Sequence, residues 1–361
     1  MALSLPFLNS TARKKRSQII GIDLGTRTTK AVLVERRGEI LALARYALLD
    51  APIFEKKISV AQLSEHLRAV VDALGGSTKH IAVSASMEDS LVRMVELPQV
   101  PVDELRQILK VNHKNYLQQE LPNHVFDCHI YAPRMQAAKD KQATPGSSAI
   151  PKLKILATAA KQQYVADFMQ AASSAGLIAE GLIPVLIGAT NNFEQCLPEV
   201  YAKETVAIVD IGFKHSSVSI LERGELTLNR MINFGGDKLT AGLAETMAIS
   251  YAEAEGIKVG MAPEVESSLQ IQIMPLSREI RASLDFFEHQ YDSTVSQIYV
   301  TGGSSRSEMI VQMMHSELML ECKTWNPTSF LQLALPGQQA VEVEHIGPQL
   351  STALGIALAA L

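Results

Sequence analysis

The sequence holds three cysteines, Cys128, Cys196 and Cys322, an odd number set far apart and without metal-ligand spacing. That excludes a disulfide framework and a cysteine metal site, and it leaves all three as packing residues suited to a reducing cytoplasm. No apolar stretch approaches the ~20 residues that span a bilayer as a helix. Basic charge is not in excess: 33 Lys and Arg stand against 38 Asp and Glu, for a net charge of −5. No general nucleic-acid partner is implied. The opening "MALSLPFLNSTARKKR" puts its basic run after a short, Pro-broken apolar stretch, the reverse of a secretory signal, so residues 1–17 read as a flexible leader rather than an export signal.

What is present is ample material for a core. The 361 residues are 47% hydrophobic and 20% charged, which suits a soluble chain of two or three domains. One pattern occurs twice. "IIGIDLGTRTTKAVLVERRGE" (19–39) and "VAIVDIGFKHSSVSILERGEL" (206–226) each read as an apolar strand, an acid, a glycine turn and a second apolar strand. Asp23 and Gly25 match Asp210 and Gly212, and Glu35-Arg36 match Glu222-Arg223.

After the first hairpin come a strand over 40–48, a helix capped by Ser59 and Gln62 and stopped by Gly75, and the strand "HIAVSAS": the order is β-β-β-α-β. The second copy runs similarly, with a strand breaking at Gly235-Gly236, a helix capped by Ser250 and Glu253, and a helical stretch interrupted by Pro275. "QIYVTGGSSRSEMIVQMMHSEL" then reads as a strand, a Gly-Gly turn and a helix, and "PQLSTALGIALAAL" as a small-residue helix packed on the sheet. Between the copies lies a segment of other character, 99–181, read as a small inserted α/β subdomain. Its two strands flank a polar, turn-rich loop over 134–148.

A turn after a strand that offers backbone N–H groups and hydroxyls can hold phosphate oxygens. An aspartate there would repel phosphate, so it makes sense as a Mg²⁺ ligand acting through water. Two such hairpins across a cleft would grip a triphosphate and its metal from both sides.

These motifs, in this order, resemble the actin-like ATPases, the fold shared by actin, Hsp70 chaperones, sugar kinases and FtsA. The resemblance implies an α/β, actin-like (ribonuclease H-like) two-lobe ATPase fold with ATP and Mg²⁺ as cofactors. In "GIDLGTRTTK" it places Asp23 on the metal, Gly25 and Thr26 on the phosphates and Lys30 as a charge donor. "VDIGFKHSSVSIL" is similar to the second phosphate loop, with Asp210 on the metal and Gly212 and Ser216 at the phosphates. "FGGDKL" matches the glycine pair Gly235-Gly236, and "EGIK" gives Glu255 and Lys258 for ribose and adenine. "TGGSSR" gives Gly302 and Gly303 beside the nucleotide and Arg306 on the adenine face.

Within that superfamily the chain resembles the PilM family of type IV pilus assembly, on the place and outline of the insert and on the ending "GPQLSTALGIALAAL". The lobes expected from this are 18–98 with 182–202, and 203–361. What the family resemblance implies is a cytoplasmic scaffold at the inner membrane that holds the N-terminal peptide of a PilN-like membrane protein, with a homo-oligomer left open. A sugar- or acetate-type kinase, an FtsA-like division protein and a scaffold that has lost its nucleotide are the other readings. The sequence also departs from the superfamily. Phe213, Lys214, His215 and Ser217 replace a glycine-rich loop, and "GLIPVLIGATNN" lacks an acid to orient attacking water, which implies slow or absent hydrolysis.

Overall fold

The computed structural model describes residues 16–53, 57–76, 78–131, 152–260 and 265–361. The leader and the 134–148 loop singled out above lie outside the described residues, apart from positions 16 and 17.

The first hairpin is β1 (Gln18–Leu24) and β2 (Thr28–Arg37), followed by β3 (Ile40–Asp50), α1 (Val60–Leu74) and β4 (His80–Ala85). The expected capping box starts α1: Ser59 Oγ accepts from the Gln62 N–H, and Gln62 Oε1 accepts from the Ser59 N–H. Gly75, at φ 62°, ends it. β5 (Ser90–Pro98), α2 (Val102–Leu117), β6 (His124–Ile130) and β7 (Lys152–Lys161) come next, then α3 (Gln162–Ser174), β8 (Ile178–Pro184), α4 (Val185–Cys196) and α5 (Pro198–Lys203). The second hairpin is β9 (Thr205–Ile211) and β10 (Ser216–Glu222), continued by β11 (Glu225–Ile232), α6 (Gly236–Met247), α7 (Tyr251–Gly260) and α8 (Glu266–Tyr291). β12 (Gln297–Thr301), α9 (Glu308–Leu318), β13 (Cys322–Lys323), β14 (Gln332–Leu333) and α10 (Gly337–Ala360) complete the chain.

The described residues form three sheets, in the orders β14-β3-β2-β1-β4-β8, β11-β10-β9-β12-β13 and β5-β7-β6. The two larger sheets each place a hairpin strand, β1 or β9, beside a parallel neighbour, β4 or β12. Ligands of open α/β sheets gather at the carboxyl ends of such strands. Here those ends carry Asp23 and Asp210.

The insert boundaries shift from the expected 99–181. β5 pairs with β7 along its whole length, so the third sheet begins at Ser90. β8 pairs with β4 in the first sheet, and Val165, Phe168, Ala171 and Ala172 of α3 share a core with Leu63, Leu67 and Val70 of α1. Periodicity marks a strand or an apolar helix face but not the sheet it joins. The insert also leans on the second lobe. The Leu226 N–H donates to the Tyr131 hydroxyl (3.1 Å), Asn229 Nδ2 donates to Val92 O (2.9 Å), and Lys154 pairs with Glu225 (3.2 Å).

Nor does the second lobe keep the whole of 203–361. β14 pairs with β3 of the first sheet, and α10 shares a core with Ile19, Val32 and Val34 as well as Val206 and Tyr299. The helix lies this close because its small residues permit it. A Cβ on Gly355 would sit 1.7 Å from Gly188 O, and one on Gly21 2.2 Å from Ala353 O.

α8 runs through Pro275 without a break. Proline inside a helix costs about 3 kcal/mol. The buried stripe Leu269, Ile273, Leu276, Ile280, Leu284 and Phe287 offsets it, at about 1.5–3 kcal/mol for each large apolar side chain. All three cysteines are free, with Cys128 buried, and burial raises their thiols to about 12, 11 and 12 in chain order. Among the described residues no helix is long and apolar enough to cross a membrane.

Candidate functional site

A cleft of about 490 Å³ lies between the two larger sheets, lined by the turns of both hairpins. Of the fourteen residues singled out from the sequence, twelve line it: Asp23, Gly25, Thr26, Lys30, Asp210, Gly212, Ser216, Gly236, Glu255, Lys258, Gly303 and Arg306. Gly235 and Gly302 do not. Both are glycine for backbone packing instead. A Cβ on Gly235 would lie 2.4 Å from Phe213 O. Gly302 has φ +90°, and its Cβ would meet Asp210 Oδ1 at 2.3 Å.

The first turn is a closed electrostatic unit. Asp23 is directly across the β1–β2 ladder from Lys30, and Lys30 Nζ lies 2.9 Å from Asp23 Oδ2. Ser84, on the parallel neighbour β4, donates to Asp23 Oδ1 (3.1 Å) and accepts from the Leu24 N–H (2.9 Å). Burial works against the Lys30 ammonium, but the charges of Asp23 and Asp210 and the Asp23 hydrogen bond outweigh it, and its pKa is raised. The second turn differs. Ser217 faces Asp210 across the β9–β10 ladder, so no lysine stands opposite that acid. Burial, and then Asp23, push the Asp210 carboxyl up to about 6, against the pull of Lys30 and of Thr352 on α10.

Ser216 lines the cleft, but its hydroxyl donates to Phe234 O (2.7 Å). Lys214 pairs with Asp237 (2.6 Å), and His215 Nε2 lies 3.4 Å from Glu88 Oε1. The Gly236 N–H donates to Gly212 O and the Asp237 N–H to Phe213 O, which clamps the start of α6 onto the second turn.

On the far wall, Lys258 Nζ donates to Gly236 O (3.3 Å), Thr240 Oγ1 (2.8 Å) and Glu255 Oε2 (2.8 Å). Burial lowers the Lys258 pKa. Glu255 is pulled below its ordinary value: burial opposes ionisation, but Lys258, Thr240 and Arg27 prevail. Arg306 has a buried Nε with no hydrogen-bond partner among the described residues, and burial lowers its pKa.

Asn191 and Asn192, the polar ends of "GLIPVLIGATNN", are fully buried and face α10 and the segment around Trp325, not the cleft. Asn191 Nδ2 donates to Gly355 O (3.3 Å), Asn192 Nδ2 to Pro327 O (2.8 Å), and Trp325 Nε1 to Asn192 Oδ1 (2.8 Å). From that stretch the cleft receives Val185. The sequence reading missed Arg27, Ser84, Glu88 and Thr240. Ser84 alone left a signal, since a β-β-β-α-β order lays the strand "HIAVSAS" parallel to β1.

This fold, two lobes with duplicated hairpins closing on one cleft and a small sheet inserted in the first, is that of the actin-like ATPases. The chain belongs to the family of the type IV pilus assembly protein PilM, which it matches over residues 21–361. It is similar to the solved PilM-PilN type IV pilus biogenesis complex, with 20% identity and a TM-score of 0.80 over 95% of this chain and 98% of that one. More distant likenesses are the ethanolamine utilization protein EutJ of Carboxydothermus hydrogenoformans (17% identity, TM-score 0.53, 96% and 91% covered) and MreB 5 of Spiroplasma citri bound to AMPPNP (10%, 0.51, 96% of each).

Proposed function

We propose that this chain is an ATP-binding scaffold of type IV pilus assembly. It takes ATP with Mg²⁺ into the cleft and holds the N-terminal peptide of a PilN-like inner-membrane protein, which makes it a cytoplasmic protein peripheral to that membrane. The observation that carries the nucleotide reading is the pair Asp23 and Asp210, brought from duplicated hairpins to one cleft where both carboxylates act on a single lysine.

The residues fit such a ligand. Mg²⁺ keeps several waters and uses one or two carboxylates with phosphate oxygens, which suits an acid pair. Arg306 offers a donor with no partner among the described residues in the same cleft, and planar guanidinium suits the face of a base. Thr26 and the turn N–H groups would hold phosphates, Lys30 would balance their charge, and Glu255 and Lys258 would hold the sugar and base. Bound nucleotide supplies a bridge between lobes, and its phosphates supply a counterion for the metal. Val185, standing where β8 meets α4, cannot orient water, which supports slow turnover.

The peptide reading rests on β6, which among the described residues pairs only with β7 and leaves its other backbone edge open. Val125 and Tyr164 pack against the α1–α3 core, so this edge begins where the insert meets the first lobe. A short extended peptide can add to such an edge. Calorimetry with ATP, with and without Mg²⁺, and then with a PilN-like N-terminal peptide tests both halves. Metal-dependent binding lost in Asp23→Ala, and hydrogen-exchange protection over 124–130 on adding peptide, are expected. ATP affinity untouched in Asp23→Ala would refute the first half, and protection confined to other strands the second.

A further inference from the structure

Arg27 sits in the turn between β1 and β2, and its side chain crosses the cleft. Its Nη1 lies 3.2 Å from Glu255 Oε1 on α7, and its guanidinium carbon lies 5.1 Å from the centroid of the Phe213 ring in the second turn. Glu255 divides its oxygens between partners. Oε2 accepts from Thr240 and Lys258, whereas Oε1 meets Arg27. Arg27 of the first turn thus reaches across to the second lobe and engages the acid proposed to hold a sugar.

We infer that Arg27 is a ligand-exchanged latch. In the empty cleft it ties the two lobes through Glu255, and a nucleoside polyphosphate releases it: the sugar hydroxyls take Glu255, and the guanidinium turns onto the phosphates. This rests on the nucleotide reading above. Three observations carry it. The Arg27 side chain is 45% exposed, so its pair with Glu255 is screened and cheap to break. A guanidinium donates two parallel hydrogen bonds to phosphate, a stronger contact than the one given up. Lys30 is held by Asp23, so Arg27 is the cation of the first turn not committed to an aspartate. Phe213, out of place in a turn built for close backbone approach, gains a purpose as the platform on which the guanidinium rests in either position.

The latch predicts opposite effects on two ligands. Without Arg27, a nucleoside finds Glu255 Oε1 uncontested, whereas a polyphosphate loses a cation. Calorimetry on the full chain should show adenosine binding about two- to fivefold tighter to Arg27→Ala than to wild type. ATP–Mg²⁺ should bind about tenfold weaker. In ligand-free protein, Arg27→Ala and Glu255→Gln should be non-additive in urea unfolding, because each removes the same contact. Shifts of equal size and sign for both ligands would overturn the exchange, and an additive cycle would overturn the latch. A wild-type chain that binds no ATP would refute the nucleotide reading and the exchange together, while the ligand-free cycle would still decide the latch.

Discussion

Lys30 lies across the β1–β2 ladder from Asp23, with Nζ 2.9 Å from Oδ2, whereas the position across the β9–β10 ladder from Asp210 is Ser217. The hairpin is duplicated but its cation is not. One ammonium serves two acids, and the acid with no lysine opposite it is the one whose pKa rises to about 6.

Replacing Asp210 should therefore stabilise the empty protein. The folded pKa lies above the ordinary 3.8, so the native state holds the proton more tightly than the unfolded chain. Stability is unpenalised below about pH 4, falls as pH rises to about 6, and stays reduced above it. At 1.36 kcal/mol per unit the cost at pH 7 is at most about 3 kcal/mol. Asp210→Asn should raise urea stability at pH 7 by about 1–3 kcal/mol, flatten the pH profile between 4 and 6, and weaken Mg²⁺-dependent ATP binding. A loss of stability at pH 7 would mean that the acid is better compensated than its surroundings suggest.

Removing the shared cation should do the reverse. Lys30→Met leaves Asp23 and Asp210 close together without a counterion, a type of change that costs about 3–5 kcal/mol. Denaturant unfolding should register it, and Asp23→Asn in the same chain should recover part of the loss. No recovery would point to lost packing instead.

Gly355→Ala should invert the usual helix rule. In an exposed helix interior that substitution stabilises by about 1 kcal/mol. Here the methyl group would fall 1.7 Å from Gly188 O, so α10 must back away from α4. A lowered melting temperature, corresponding to at least about 2 kcal/mol, is expected. A raised one would show that the two helices are not in contact.

Turnover should be slow, and the asparagines should not set it. Phosphate release is expected far below the ~1–100 s⁻¹ of working kinases. Asn192→Ala should lower stability by about 1–3 kcal/mol through the orphaned Trp325 N–H, without changing the residual rate. If that variant abolished hydrolysis while remaining folded, Asn192 would have to reach the cleft in some state.

The sequence by itself determined what neighbouring residues decide. Apolar alternation around Asp23 and Asp210 specified two hairpins, and Ser59-Gln62 and Ser250-Glu253 specified two helix starts that the side-chain hydrogen bonds bear out. Residues of the cleft were legible where a short glycine-bearing motif carried them. Tertiary structure decided the pairings between distant segments, because a strand's periodicity is the same whichever sheet receives it. β5 goes to the insert, and β8 and β14 to the first sheet. α10 settles between the lobes because only its small residues can approach Gly21 and Gly188 so closely. Arg27 lies inside "GIDLGTRTTK", but nothing in that motif marks its partner. It meets Glu255, 228 positions away in the chain, only because two separately folded turns close on the same cleft.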